Sequence, residues 1–232
     1  MQLNPLIEVL GFMRNAVLAL CVLCASTLVF GEDKMVQLEL VLPKPVFLGT
    51  PKDLKTANLE KPRDQRNKIF LTVPEGTKNV ALNKPVTSSD PQPFIGTLPQ
   101  ITDGIKDAAD GNYVELWKGL QWIQIDLEAK FKIHAIALWH YHSEARIYHD
   151  VVVQTADDAD FITGVKTLFN NDHDNSAGLG IGKDGAYIET FEGKQIELKD
   201  ITGRYVRFYT KGSTSSDLNH YTEIEIYGEP AK

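Results

Sequence analysis

Three aspartates and a scatter of histidines are the residues of this chain whose types and spacing could do chemistry. Between Thr102 and Asn112 stand Asp103, Asp107 and Asp110, with Gly104 and Gly111 among them. Hard cations such as Ca²⁺ take several oxygen ligands on backbone that can curl round them, so this polar loop reads as a cation site or as a solvated turn. His140 and His142 are two apart on a predicted strand and share a face; with His149 they would supply nitrogen ligands for a transition metal. The same imidazoles adjoin Tyr141 and Tyr148, and His220 adjoins Tyr221. Aromatic faces stack on the apolar side of a sugar ring while His, Arg and Asn make directional hydrogen bonds, so a carbohydrate contact and plain packing are the other two readings.

Other motifs fail on context. Gly180-Ile181-Gly182-Lys183-Asp184-Gly185 fits the dinucleotide string, but polar loop precedes it and a predicted strand, not a helix, follows. The loop from Asn170 to Ser176 resembles the start of a helix-loop-helix calcium site. Counted from Asp172, however, Ala177 stands where the sharp-turn glycine belongs and Lys183 where the closing glutamate belongs. That loop reads as a solvated surface or a polar ligand site. No GxSxG elbow is present and carboxylates are too common for spacing to single out an acid and a base, so no catalytic residue is nominated.

The elements that must position these groups are short strands. In residues 122–127, Ile123, Ile125 and Leu127 alternate with Gln124 and Asp126, the pattern of a half-buried strand. Residues 133–141 follow as a second strand, and further strands are expected at 80–82, 151–155, 165–169, 186–191, 195–198, 205–210 and 222–228. No window holds a helical period, so the class is all-β, a sandwich or jelly roll. The chain has 232 residues, 43% hydrophobic, with a formal charge of −7 and no basic cluster, which argues against a nucleic-acid partner.

Residues 1–31 read as a signal peptide, with an apolar run over 16–30 shorter than a membrane span and translation expected to start at Met13. Both cysteines, Cys21 and Cys24, lie in that run, and neither follows the small residue a lipoprotein signal wants. An exported chain without cysteine suits a bacterial periplasmic or secreted protein in which a metal does the stapling. Residues 32–77 form a proline-rich lead-in, either a spacer or a segment whose runs 36–42 and 69–73 lie as edge strands on the main domain, residues 78–230.

Five strings in order carry a family resemblance. They are Asn79-Val80-Ala81-Leu82-Asn83-Lys84-Pro85-Val86-Thr87-Ser88-Ser89, Ile101-Thr102-Asp103-Gly104, Gln121-Trp122-Ile123-Gln124-Ile125-Asp126-Leu127, Gly203-Arg204-Tyr205-Val206-Arg207 and Tyr221-Thr222-Glu223-Ile224-Glu225-Ile226-Tyr227-Gly228. Together they resemble the discoidin, or coagulation factor V/VIII type C, domain family, close to F-type lectins and family 32 carbohydrate-binding modules. The resemblance implies an eight-stranded jelly-roll β-sandwich of the galactose-binding-domain type. It also implies a structural Ca²⁺ held by Asp103, Glu223 and Asp110, with the carbonyls of Gln100, Ile105 and Thr222 helping and Asp107 as the alternative to Asp110. Ligands in the family bind at loops on one end of the barrel, which here nominates His142, Arg146, His149, His173, Asn219 and His220. The disulfide of many animal members cannot form, and the F-type sugar motif is not cleanly present. The expected function is an exported, non-catalytic module that binds carbohydrate. The alternatives are a module binding a cell-envelope protein and an accessory domain of an enzyme acting on polysaccharide; the polar loops speak against membrane lipid.

Overall fold

The computed structural model describes residues 34–47, 53–61, 68–109 and 111–231. The expected signal segment and Asp110 lie outside the described residues. Among those described, the strands in chain order are β1 Met35–Glu39, β2 Phe70–Pro74, β3 Lys78–Asn79, β4 Val86–Ser88, β5 Val114–Leu116, β6 Gln121–Trp139, β7 Val152–Ala156, β8 Lys166–Asn170, β9 Lys194–Thr210, β10 Asn219–Tyr221 and β11 Glu223–Pro230. The only helical turn among them is a 3-10 turn at Leu98–Thr102.

Two long strands organise the sandwich. β6 and β9 pair antiparallel from Gln121↔Thr210 to Leu138↔Lys194, with register shifts between Asp126 and Phe131 and between Ile133 and Ala135. Four predicted strands are therefore two bent ones. At the bend Glu128 takes a left-handed φ of 65°, and its N–H donates to Asp126 Oδ1 at 2.7 Å. Short side-chain acceptors of this kind let a non-glycine residue hold such a corner. The first half of β6 lies between β4 and β9, with β7 and β8 beyond; its second half lies between β11 and β9. Ile123, Ile125 and Leu127 from one half, and Ile133, Ile136 and Leu138 from the other, meet in a single core, which makes the all-β sandwich expected from the sequence.

Residues 186–191 depart from expectation. They make only single-residue bridges, Ala186 with Leu59 and Glu189 with Arg146. Burial falls on Ala186, Tyr187 and Glu189.

The lead-in supplies an outer layer. β1 and β2 pair antiparallel, Val36↔Val73 through Glu39↔Phe70. From this ribbon and its flanks Leu40, Ile69, Leu71 and Val73 pack on Ala135, Ala137, Trp139 and Tyr227, the residues of β6 and β11 that point away from the main core. Gly193, at φ +65°, lets the chain pass over Trp139, where a Cβ would stand 2.7 Å from the indole. Lys106 fastens the layer: its Nζ donates to the carbonyl of Val41 at 2.8 Å and pairs with Glu225 Oε1 at 2.8 Å, both side chains being almost fully buried. The runs that could have been spacer are thus a ribbon that the sheet needs. Leu71 is fully buried, so Leu71→Ala is expected to cost about 2–5 kcal/mol in urea unfolding at constant m. A change within about 0.5 kcal/mol, the usual range for a surface substitution, would mean the ribbon does not dock.

Candidate functional site

The short ribbon β5–β10 brings the candidate site together. Val114 and Leu116 are fully buried, so Tyr113, Glu115 and Trp117 alternate outward, as the pleat of a strand requires. Across the ribbon His220 is paired with Glu115, and His220 Nε2 lies 3.0 Å from Glu115 Oε2. Burial, followed by the nearby Arg146 and His140, holds the imidazole down to about 4. Near neutrality it is therefore uncharged, and its Nε2–H donates to the carboxylate. Burial also raises Glu115 while Arg146 opposes that.

The chain leaving β6 adds the other side. Tyr141 and Tyr113 meet edge to face at 4.8 Å, and the Arg146 guanidinium stacks over Tyr141 at 4.7 Å while donating from Nη2 to Glu144 Oε2 at 2.8 Å. Tyr113, Tyr141 and Glu115 are half-buried and Glu144 is exposed. The result is a surface of two phenol rings and two carboxylates, backed by an arginine and a neutral histidine whose donors are already committed. Such a surface can stack on a sugar ring and accept hydrogen bonds from its hydroxyl or amino groups.

Beneath it lies a closed polar pair. His140 Nδ1 and Glu189 Oε2 are 2.9 Å apart with both side chains fully buried, and His140 stacks on Tyr148 at 4.2 Å. Neither His140 Nε2 nor Glu189 Oε1 finds a partner among the described residues. Burial pushes Glu189 up to about 8 and His140 down to about 3. Two charges there would lose water with little in return, so the pair is held neutral, the carboxylic O–H donating to Nδ1.

Beside this face runs the aspartate loop. Glu223 is fully buried at the start of β11. Its Oε2 accepts from Gly104 N–H at 3.1 Å, its Oε1 has no partner, and burial pushes it up to about 9, with Glu225 and Asp103 adding to the shift. Asp103 Oδ1 accepts from Ile105 N–H at 2.8 Å. Gln100 closes the preceding turn, its Nε2 donating to Gly111 O at 2.8 Å. Thr222 donates its backbone N–H to Trp139 O and its hydroxyl to His140 O. Asp107 is exposed. A buried carboxylate oxygen without a partner, beside a second carboxylate on a curled loop, fits a hard cation.

The other nominated residues separate. His149 and His173 line a different cleft, with Asp150, Asn171 and Asp174 on one side and Thr56 and Ala57 of the lead-in on the other. There the carboxylates of Asp150, Asp172 and Asp174 lie within 4.8 Å of one another, a grouping that could hold a metal ion; both oxygens of Asp172 already accept backbone N–H groups, from Ser176 and Ala177. His142 is buried with Nε2 2.8 Å from Lys106 O. Asn219 is buried too, accepting from Gly212 N–H and donating to the carbonyls of Trp117 and Gly119. Of the six, Arg146 and His220 stand at the candidate face. Tyr113, Glu115 and Tyr141 were not singled out from sequence. The signal for Tyr113 and Glu115 was the out-in-out-in-out run Tyr113-Val114-Glu115-Leu116-Trp117, too short to separate from the polar loop before it.

No protein-family model and no curated protein matches the sequence. Among solved structures, the chain is similar to chitosan-binding module 1 of a chitosanase/glucanase from Paenibacillus sp. IK-5, at 21% identity, with 66% of this chain and 99% of that one covered and a TM-score of 0.48. It is similar to the family 32 carbohydrate-binding module of AlyQ in complex with 4,5-unsaturated mannuronic acid, at 15% identity, 61% and 92% coverage and a TM-score of 0.44. A fucolectin from striped bass (Morone saxatilis) serum aligns at 16% identity, 66% and 49% coverage and a TM-score of 0.45.

The buried pair sets a pH dependence. A carboxyl raised to about 8 stabilises the fold below its unfolded value and loses that contribution as pH rises toward 8; a histidine lowered to about 3 contributes stability that grows as pH rises to its unfolded value near 6.5. The two oppose each other up to about pH 6.5, and above it only the carboxyl acts. The pair's contribution should fall by roughly 2 kcal/mol between about pH 6.5 and 8, in addition to the fall from Glu223, which burial also pushes up. Glu189→Gln, which keeps a neutral donor to Nδ1, should reduce the fall in urea titrations by about that amount; an equal fall in the variant would place its origin elsewhere.

Proposed function

We propose that this chain is an exported, non-catalytic carbohydrate-binding module whose site is the face formed by Tyr113, Tyr141, Glu115 and Glu144 over Arg146 and His220. The observation that carries this reading is the pairing of two adjoining, half-exposed tyrosine rings with carboxylates whose orientation is fixed from behind, Glu115 by His220. The chitosan-binding module and the mannuronate-bound module among the similar structures support a carbohydrate ligand in kind. Chemistry narrows it: carboxylates at the face and a formal charge of −7 favour neutral or amino sugars over polyuronates. Tyr141→Ala should weaken binding of the best glycan on a panel about tenfold or more in calorimetric titration, since it removes a stacking ring and the seat of Arg146. Unchanged affinity would move the ligand off this face. Capture of a cell-envelope protein with silence on the whole panel would favour the adhesion reading instead.

The same reading includes a structural Ca²⁺ held by Asp103 and Glu223, with Asp110, or Asp107 in its place, and the carbonyls of Gln100, Ile105 and Thr222 as further oxygen donors. Bound there, the ion would tie the loop after the 3-10 turn to β11 by neutralising buried carboxylates. At a hundredfold excess over Kd, a ligand of the folded state adds about 2.7 kcal/mol, or roughly 5–10 °C of melting temperature for a domain of this size. Asp103→Ala should abolish that rise; a rise that persists in the variant would refute the site.

A further inference from the structure

Beyond the tyrosine face, and resting on the reading of it as a sugar site, we infer that the stacked pair Phe94–Trp117 is a second sugar subsite, so that the module takes a chain of sugars rather than a single terminal residue. The two rings lie 4.7 Å apart at 27°, and they remain 57% and 47% exposed whereas Trp139 is fully buried. Leaving so much aromatic surface in water is unfavourable unless something covers it. Their placement says what does. Trp117 continues the outward row of Tyr113 and Glu115, and at ~3.3 Å per residue that row is about 13 Å long, more than one pyranose ring can bridge.

The platform is also held rigid. Trp117 N–H donates to Asp90 Oδ2 at 2.8 Å, its carbonyl accepts from Asn219 Nδ2 at 2.7 Å, and Phe94 N–H donates to the carbonyl of Glu115 at 2.8 Å. A ring fixed from both sides of its backbone loses little freedom on stacking, which favours binding. Asn219 thus acts as a positioning residue for the second subsite rather than a contact of the first.

Mono- and hexasaccharides of galactose and of glucosamine, titrated calorimetrically against the full chain and its Trp117→Ala and Trp117→Phe variants, test the inference. Wild type should bind the hexasaccharide of one series at least tenfold more tightly than its monosaccharide. Trp117→Ala should remove most of that difference while leaving monosaccharide affinity within twofold, and Trp117→Phe should restore it. Because the rings are exposed, melting temperatures should stay near wild type and confirm folding. A Trp117→Ala loss equal for both lengths, or a wild type indifferent to length, overturns the subsite and leaves the tyrosine face standing. Sedimentation of the protein with phosphatidylserine vesicles, lost in Trp117→Ala, overturns it in favour of membrane insertion. Binding to neither series at any length overturns both readings.

Discussion

The second half of β6 is apolar on both faces, and a single sheet can cover a strand on only one. Ile136 and Leu138 point into the main core while Ala135, Ala137 and Trp139 point the other way. Left to water, the outward face would forfeit the stabilisation that burial of a tryptophan and its neighbours supplies. The β1–β2 ribbon answers that constraint, and its docking explains features that otherwise look unrelated: Gly193 where the chain crosses the indole, the Trp139 Nε1–H donated to Phe191 O at 2.9 Å, and a lysine committed to the carbonyl of Val41. The small residues at 135 and 137 let the ribbon approach closely, and the large one at 139 fills the end of the interface.

How much of this was legible follows from the length of each signal. Residues 122–127 alternate cleanly because one face is solvated, and they were readable as a strand. The run Ile133-His134-Ala135-Ile136-Ala137-Leu138-Trp139 has no alternation because both its faces are covered. That absence is the mark of a second covering layer and was not read as one, while the prolines of the lead-in left a spacer and edge strands both open. The corner between the two halves was invisible, since a bend in a paired strand needs only a register shift and one left-handed residue. At the site, strands of three residues such as β5 and β10 fall below any window in which periodicity can be counted. Histidines drew attention as possible ligands, yet His142 and His140 are buried, one against a backbone carbonyl and one against a carboxyl. A sequence names the imidazole without naming its partner.

The polar groups at this end of the sandwich form a graded series from buried to exposed. His140 and Glu189 are wholly enclosed and neutral, Arg146 and His220 are nearly enclosed and committed to carboxylates, and the tyrosines with Glu115 meet solvent. Each layer orients the one outside it: Glu189 N–H donates to Arg146 O at 2.8 Å, Arg146 covers Tyr141, and His220 aims Glu115. Recognition groups supported this way are pre-organised, so less ordering is lost when a ligand arrives.

The aspartate loop joins the two halves of the argument. It leaves the 3-10 turn at Asp103 and delivers the chain to Tyr113, and it is held at intervals by groups from three directions. Ser143 Oγ donates to Ala108 O at 2.6 Å, His142 meets Lys106 O, and Lys106 reaches Val41 and Glu225. The Lys106 ammonium pairs with Glu225. Glu223, two residues away on the same face of β11, is left with a single backbone N–H and a bare Oε1. A buried acid in that position must either keep its proton or gain a cation. Neutralised by an ion shared with Asp103, it would draw the loop against β11 and fix where Tyr113 begins, so the charge balance at one end of β11 would set the geometry of the proposed sugar face.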